Sequence, residues 1–205
     1  MSKVAIIDYG LCNLDSMARA VDICGGTPCV TAEASELKSA DRIILPGVGA
    51  FPNAMKNLQD AGMVAALNEA VIEKGRPFLG VCLGMHLIAE RSVEHGKTEG
   101  LGWIKGNIKR LEPSESTERI PHVGWNEIDF EMPHPLLSGI ENRTDFYFVH
   151  SYHFQAKVSH HIVATTPYCG EFASIVQKDN IFGVQFHPEK SQKAGARLLS
   201  NFLSL

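Results

Sequence analysis

The sequence predicts an α/β fold with a mainly parallel central sheet and an antiparallel C-terminal extension, and three observations carry that reading. Short β-rich apolar runs alternate with helical segments through the first half, the pattern of βαβ units covered on both faces. After Gly96 the texture changes to closely spaced strands and turns, which favours antiparallel pairing. With 205 residues and 44% hydrophobic content the chain can bury one sizeable core, so residues 1–205 are expected to form a single domain.

Val4–Ile7 opens the sheet, and a helix follows from about Leu14 to Cys24. Cys29–Thr31, Arg42–Leu45 and Phe78–Val81 are the next strands. Between Phe51 and Lys74 the spacing of Met55, Leu58, Met63, Ala66, Leu67, Ala70 and Val71 predicts helix, broken near Gly62. A helix from Leu83 to about Arg91 leaves Cys82 at a strand-to-helix junction. Further strands are expected over Trp103–Leu111, His122–Phe130, Phe146–Gln155 and His161–Thr165. Ala173–Lys178 and Ile181–Phe186 flank Asp179-Asn180, two residues suited to a tight turn, and read as a hairpin. A helix over Gln192–Leu203 closes the chain, and Pro113–Glu118 is expected to be a mobile polar loop.

A net charge of -4, with no run of Lys or Arg, argues against a nucleic-acid or anionic-membrane partner. The N-terminus enters an apolar run with no basic lead and no small-residue cleavage site, which predicts a cytoplasmic address. The five cysteines, at 12, 24, 29, 82 and 169, are odd in number and lack CxxC spacing. That fits neither a disulfide framework nor a four-cysteine zinc site. His122, His134, His150, His160, His161 and His187 show no paired ligand spacing, and His160-His161 in a strand would point to opposite faces. No metal and no cofactor is therefore expected. Trp103 and Trp125 read as packing residues rather than a stacking platform for bases.

The sharpest chemical feature is Gly80-Val81-Cys82-Leu83-Gly84, a Gly-x-nucleophile-x-Gly elbow between strand and helix. Glycines on both sides permit the strained turn, and the positive end of the following helix favours a thiolate. A thiolate nucleophile needs a base from elsewhere in the chain. His187 in Phe186-His187-Pro188-Glu189 emerges at a strand end, with Glu189 two residues on to orient its imidazole. Pro46-Gly47-Val48-Gly49 follows a strand, and its glycines allow backbone N–H groups to turn towards a developing oxyanion. Taken alone, each motif also admits a plain structural reading: a buried cysteine in a turn, a solvated His-x-Glu pair, an ordinary Pro-Gly turn.

Together, and in this order, these pieces resemble the class I glutamine amidotransferases, whose triad combines a Gly-x-Cys-x-Gly elbow with a His-Pro-Glu stretch. Asp8-Tyr9-Gly10 with Asn13, Pro46 to Phe51, Gly80 to Met85, Pro121 to Asn126, Tyr147 to Tyr152 and Phe186 to Ser191 extend the likeness along the chain. Gly124-Trp125-Asn126 and Pro188-Glu189-Lys190-Ser191 make it similar to the branch that serves as glutaminase subunits of imidazole glycerol phosphate synthase. The resemblance implies a flavodoxin-like three-layer fold and a heterodimer with a (βα)₈-barrel synthase subunit. Ammonia from glutamine would pass to that subunit, giving imidazole glycerol phosphate for histidine synthesis and a carboxamide nucleotide. By position, Cys82 attacks the amide, His187 shuttles the proton and Glu189 supports His187. The resemblance further implies that the N–H groups of Val48 and Leu83 would form the oxyanion hole. Gly49, Glu94, His150, Ser151 and Tyr152 would hold glutamine, while Asn13, Tyr147 and Lys190 would face the synthase. His86 stands where the family pattern, Gly-Met-Gln, has a substrate-binding glutamine, and a histidine cannot present an amide's paired donor and acceptor.

That departure keeps a paralogue in view, one supplying ammonia to a sugar-amidating enzyme of surface polysaccharide synthesis. A stand-alone cysteine amide hydrolase or peptidase would use the same triad without a partner, and a non-enzymatic regulator would keep only the fold.

Overall fold

Strand and helix alternate in the computed structural model, which describes residues 2–205, until the chain has laid down four parallel strands. β1 (Lys3–Ile7), α1 (Leu14–Ile23), β2 (Thr27–Thr31) and β3 (Arg42–Leu45) come first. α2 (Phe51–Asp60) and α3 (Met63–Leu67) follow, separated by Gly62 in a left-handed turn. α2 buries Phe51, Ala54, Met55 and Leu58, the i, i+3, i+4, i+7 set of one helix face, at about 1.5–3 kcal/mol for each large side chain. β4 (Phe78–Val81) then runs through Cys82 into α4 (Leu83–Leu87).

Shorter strands come next: β5 (Arg91–Ser92), β6 (Thr98–Glu99), β7 (Gly106–Arg110), β8 (His122–Glu127), β9 (Asp145–His150), β10 (Tyr152–Ala156), β11 (Ile162–Thr166), β12 (Phe172–Lys178) and β13 (Ile181–Val184). α5 (Gln192–Ser204) closes the chain. The main sheet runs β2-β1-β3-β4-β13-β12-β10-β7-β5-β6, with β11 also on β12. Its β2-to-β13 half is parallel, and β13, β12, β10 and β7 pair antiparallel. β1 shows how the layers form: Ala5 and Ile7 face the α2 and α3 side, while Val4 and Ile6 face α1 and α5. This is the three-layer α/β arrangement, and the hairpin joins β12 to β13 with Lys178 opposite Ile181.

Four expectations are corrected. The helix after Cys82 ends at Leu87 instead of near Arg91, because the 100–104 segment folds back and its N–H groups take the carbonyls of Leu87, Ile88, Ala89 and Glu90. The single strand expected over Phe146–Gln155 is two, broken at Ser151: β9 pairs with β8 as a separate ribbon, and β10 joins the main sheet. His160 and His161 lie in a 3-10 turn, not a strand. Trp103 is buried as expected, but Trp125 is 47% exposed on the outward face of the β8–β9 ribbon. No helix among the described residues is long and apolar enough to cross a membrane.

Candidate active site

All four residues of β4 are buried, and the ladder continues one step past it, with Cys82 N–H donating to Val184 O at 2.8 Å. There the backbone turns sharply: Cys82 has φ +53° and ψ −108°, a strained conformation for a side-chain-bearing residue that costs about 1–3 kcal/mol. The flanking glycines make the turn possible. A Cβ on Gly84 would lie 1.8 Å from Leu45 O, and one on Gly80 would lie 2.5 Å from Gly84 O.

β13 pairs with β4 in parallel, Val184 beside Val81, so the residues just after β13 run alongside Cys82. His187 is fixed there from several directions. Its N–H donates to Tyr147 O at 2.9 Å, and its carbonyl accepts from Ser191 Oγ at 2.7 Å. Its Nδ1 meets Glu189 Oε1 at 2.8 Å, with both side chains almost wholly buried. Burial alone would lower the imidazole pKa, but the neighbouring Cys82 sulfur and the Glu189 carboxylate overcome this and raise it to about 10. His187 Nε2 is buried with no hydrogen-bond partner, as is Glu189 Oε2. A buried imidazole held on a carboxylate beside a cysteine is a group suited to take up a thiol proton and deliver it later.

Cys82 opens into a cavity of about 300 Å³ lined by Val48, Gly49, Leu83, His86, Glu94, Pro121, Val149, His150, Ser151 and Tyr152. The sequence had singled out each of these except Pro121 and Val149. The break between β9 and β10 at Ser151 puts four consecutive residues, Val149 to Tyr152, on this wall. Glu94 Oε2 accepts Phe51 N–H at 2.8 Å, and His86 Nε2 lies 2.7 Å from Gln185 Oε1. Burial lowers His86 and His122 to about 4 and holds His150 well below the usual imidazole range, so these rings are neutral. His150 Nδ1 donates to Tyr152 O at 2.8 Å, leaving its Nε2 to accept from His122 Nδ1 at 3.0 Å. A wider groove of about 610 Å³ lies between Asp129–His134 and Ser159–Thr165, away from the cysteine.

Both N–H groups assigned to an oxyanion are engaged elsewhere. Val48 N–H donates to Leu11 O at 2.8 Å, and Leu83 N–H donates to Gly47 O at 3.3 Å. The loop is held from below by the Cys12 thiol, which donates to Pro46 O at 3.4 Å. Beside it the unpartnered Tyr9 hydroxyl packs so closely on Gly47 that a Cβ there would come within 1.9 Å. One turn of the Gly47–Val48 peptide would release Leu83 N–H and aim Val48 N–H the other way.

Residues 5–205 match the family described as glutamine amidotransferase class-I. The chain belongs to that family. The amidotransferase is 46% identical to the imidazole glycerol phosphate synthase subunit HisH of Rhodospirillum rubrum, over 98% of both chains. It is 47% identical to the HisH subunit of Moorella thermoacetica, over 98% of this chain and 94% of that one. It is 45% identical to the subunit HisH 1 of Campylobacter jejuni RM1221, over 98% and 100%. Among solved structures it superposes on PurLQS from Thermotoga maritima with TM-score 0.77 at 18% identity, covering 100% of this chain and 99% of that one. A putative GMP synthase subunit from Thermoplasma acidophilum gives TM-score 0.73 at 17% identity, covering 100% and 93%. These two share the fold.

Next to its cavity the amidotransferase presents an apolar face on the β8–β9 ribbon. The register pairs Val123 with Val149 and Trp125 with Tyr147, while Phe146 and Phe148 point inward. The Trp125 and Tyr147 rings are 6.0 Å apart, edge to face, and Lys190 Nζ lies 5.8 Å from the Tyr147 centroid. Asn13 is exposed at the start of α1 and makes no capping bond. Sequence reasoning missed Val123 and Trp125, although the alternation His122, Val123, Gly124, Trp125 in one strand was the signal that could have placed both outward.

Proposed function

We propose that this chain is the glutaminase subunit of an imidazole glycerol phosphate synthase, its whole length working as one amidotransferase domain in the cytoplasm. It hydrolyses glutamine and passes ammonia to a (βα)₈-barrel synthase subunit of the HisF type, which makes imidazole glycerol phosphate and a carboxamide nucleotide in histidine biosynthesis. Near full-length identity of 45–47% to subunits of that name supports the pathway. The observation that carries the chemistry is the parallel pairing of β13 with β4, which sets Glu189-bound His187 alongside the chain at Cys82, itself part of the lining of one cavity.

In this reading Cys82 thiolate adds to the side-chain amide carbon of glutamine, and the oxyanion is received by Val48 and Leu83 N–H once the loop has turned. The C–N bond breaks as His187 gives its proton to the departing nitrogen, which leaves as ammonia. Neutral His187 then takes a proton from water, and hydroxide adds to the thioester. The C–S bond breaks, so glutamate leaves and the thiolate–imidazolium pair is restored. Gly49, His86, Glu94, His150, Ser151 and Tyr152 hold the substrate. Asn13, Tyr147 and Lys190, with Trp125 beside them, face the synthase.

The test is Cys82→Ala, assayed with the synthase subunit present. Glutamine should still bind while hydrolysis falls by about 10⁴-fold or more. Glutamate production near the native rate would overturn the assignment.

A further inference from the structure

We propose that Gln185 is a further catalytic group of this glutaminase, donating its side-chain N–H to the Cys82 thiolate, and that His86 positions it. The inference rests on the assignment of Cys82 as nucleophile. Gln185 lies between the end of β13 and His187 and is wholly buried. Its backbone N–H is used by Ser174 O at 2.9 Å. Its side-chain Nε2 lies 3.9 Å from Cys82 Sγ, and its Oε1 lies 2.7 Å from His86 Nε2. His86 stands one helical turn beyond the nucleophile, its own N–H bonded to Cys82 O at 3.2 Å. The three side chains thus form a closed path from the helix that begins at the sulfur back to the sulfur.

A buried primary amide needs partners for both ends, and which end faces the sulfur is decided by charge. In the thiolate form that attacks the amide, the sulfur can only accept. Turning the amide over would set Oε1 against it, acceptor against acceptor. The favourable arrangement is His86 Nε2–H to Oε1 and Gln185 N–H to Sγ, which requires a neutral His86 with its proton on Nε2. Burial keeps the ring neutral, pushing its pKa down to about 4. A glutamine in place of His86 could donate to Oε1 in the same way.

A donor at the sulfur stabilises the thiolate before attack. It helps again when the thioester breaks and the sulfur regains its electron pair, whereas in the thioester the bond is weak. Loss of the donor should therefore slow thioester breakdown more than substrate binding. The titratable groups facing Cys82 are His187 beyond β13, Tyr9 beyond β1, and Glu94 and His150 across the cavity; those facing His86 are His150 and His153.

The experiment follows the pH dependence of Cys82 alkylation by iodoacetamide in the full chain, reading the Cys82 peptide by mass spectrometry so that the other cysteines do not interfere. Gln185→Leu should move the midpoint up by about one pH unit, as loss of one charge-assisted bond requires, and Gln185→Glu by at least as much. His86→Leu should move it in the same direction by less, and His86→Gln should restore it. With the synthase subunit present, Gln185→Leu should lower kcat about ten-fold with little change in KM. An unmoved midpoint in both Gln185 variants overturns the donor. A raised KM with an unmoved midpoint in His86→Leu overturns the positioning role. Because alkylation needs no glutamine turnover, these outcomes are separate from the fate of the glutaminase assignment itself.

Discussion

Gly47 O accepts the Leu83 N–H at 3.3 Å, so the amide next to the nucleophile is held by the loop that should help it. Val48 N–H, bound to Leu11 O, is turned away as well. The isolated subunit should therefore hydrolyse glutamine about 10²–10³-fold more slowly than the complex, the range seen when one oxyanion donor is lost. Comparing glutamate release with and without the synthase subunit tests this, and equal rates would refute it. Amide exchange at Val48 should be protected in the isolated chain and faster in the complex.

Glu189 Oε1 meets His187 Nδ1 at 2.8 Å, so its proposed role rests on the charge it sets against the ring. Glu189→Gln keeps the shape but removes the carboxylate that helps hold the imidazole near pKa 10. kcat should fall by about 10²–10⁴-fold, the usual span for impaired acid–base catalysis, with KM little changed. An NMR titration of His187 should show a lower pKa in the variant; an unchanged value would show that Glu189 does not tune the ring.

Stability should fall as the pH drops below about 6.5. His86 is held neutral in the fold at a pKa of about 4, against an ordinary value of 6.5, so below pH 6.5 the unfolded chain takes up a proton that the fold resists. That contribution is intact above 6.5 and is lost as pH falls towards 4, by roughly 3 kcal/mol. His122 and His150 act in the same direction. Urea midpoints measured across pH should trace this acid limb, and His86→Gln should make it shallower.

Trp125 is an aromatic side chain left half in water beside Tyr147 and Lys190, the setting of a binding hot spot. Trp125→Ala should weaken heterodimer formation by about 30-fold, equivalent to roughly 2 kcal/mol, without changing the thermal stability of the isolated subunit appreciably. Calorimetric titration with the synthase subunit measures the first, and a melting curve checks the second.

The strands that local pattern alone could define were legible in the sequence. β3 and β4 begin and end at the residues expected for them, each ending where its apolar run does, and the Asp179-Asn180 turn set the β12–β13 hairpin. The break at Ser151 was not legible, because an apolar run carries no mark of where it leaves one sheet for another. The shortness of α4 was hidden for a similar reason: its end is set by N–H groups from residues 100–104, remote from the helix itself. In the site, residues lying in glycine-flanked or His-Pro-Glu motifs could be named in advance. Gln185 could not, since in sequence it is one more position in a strand-like run, and only the pairing of β13 with β4 reveals its nearness to Cys82. Trp125 was misjudged because large aromatic residues are usually buried.

Tyr147 looks in two directions. Its ring belongs to the outward ribbon face, while its carbonyl grips the backbone of His187 and its N–H rests on Ser191 Oγ. A load on that ring would therefore reach the backbone seat of His187 across the width of a single residue, so a partner bound at this face would need no long relay to be felt beside Cys82.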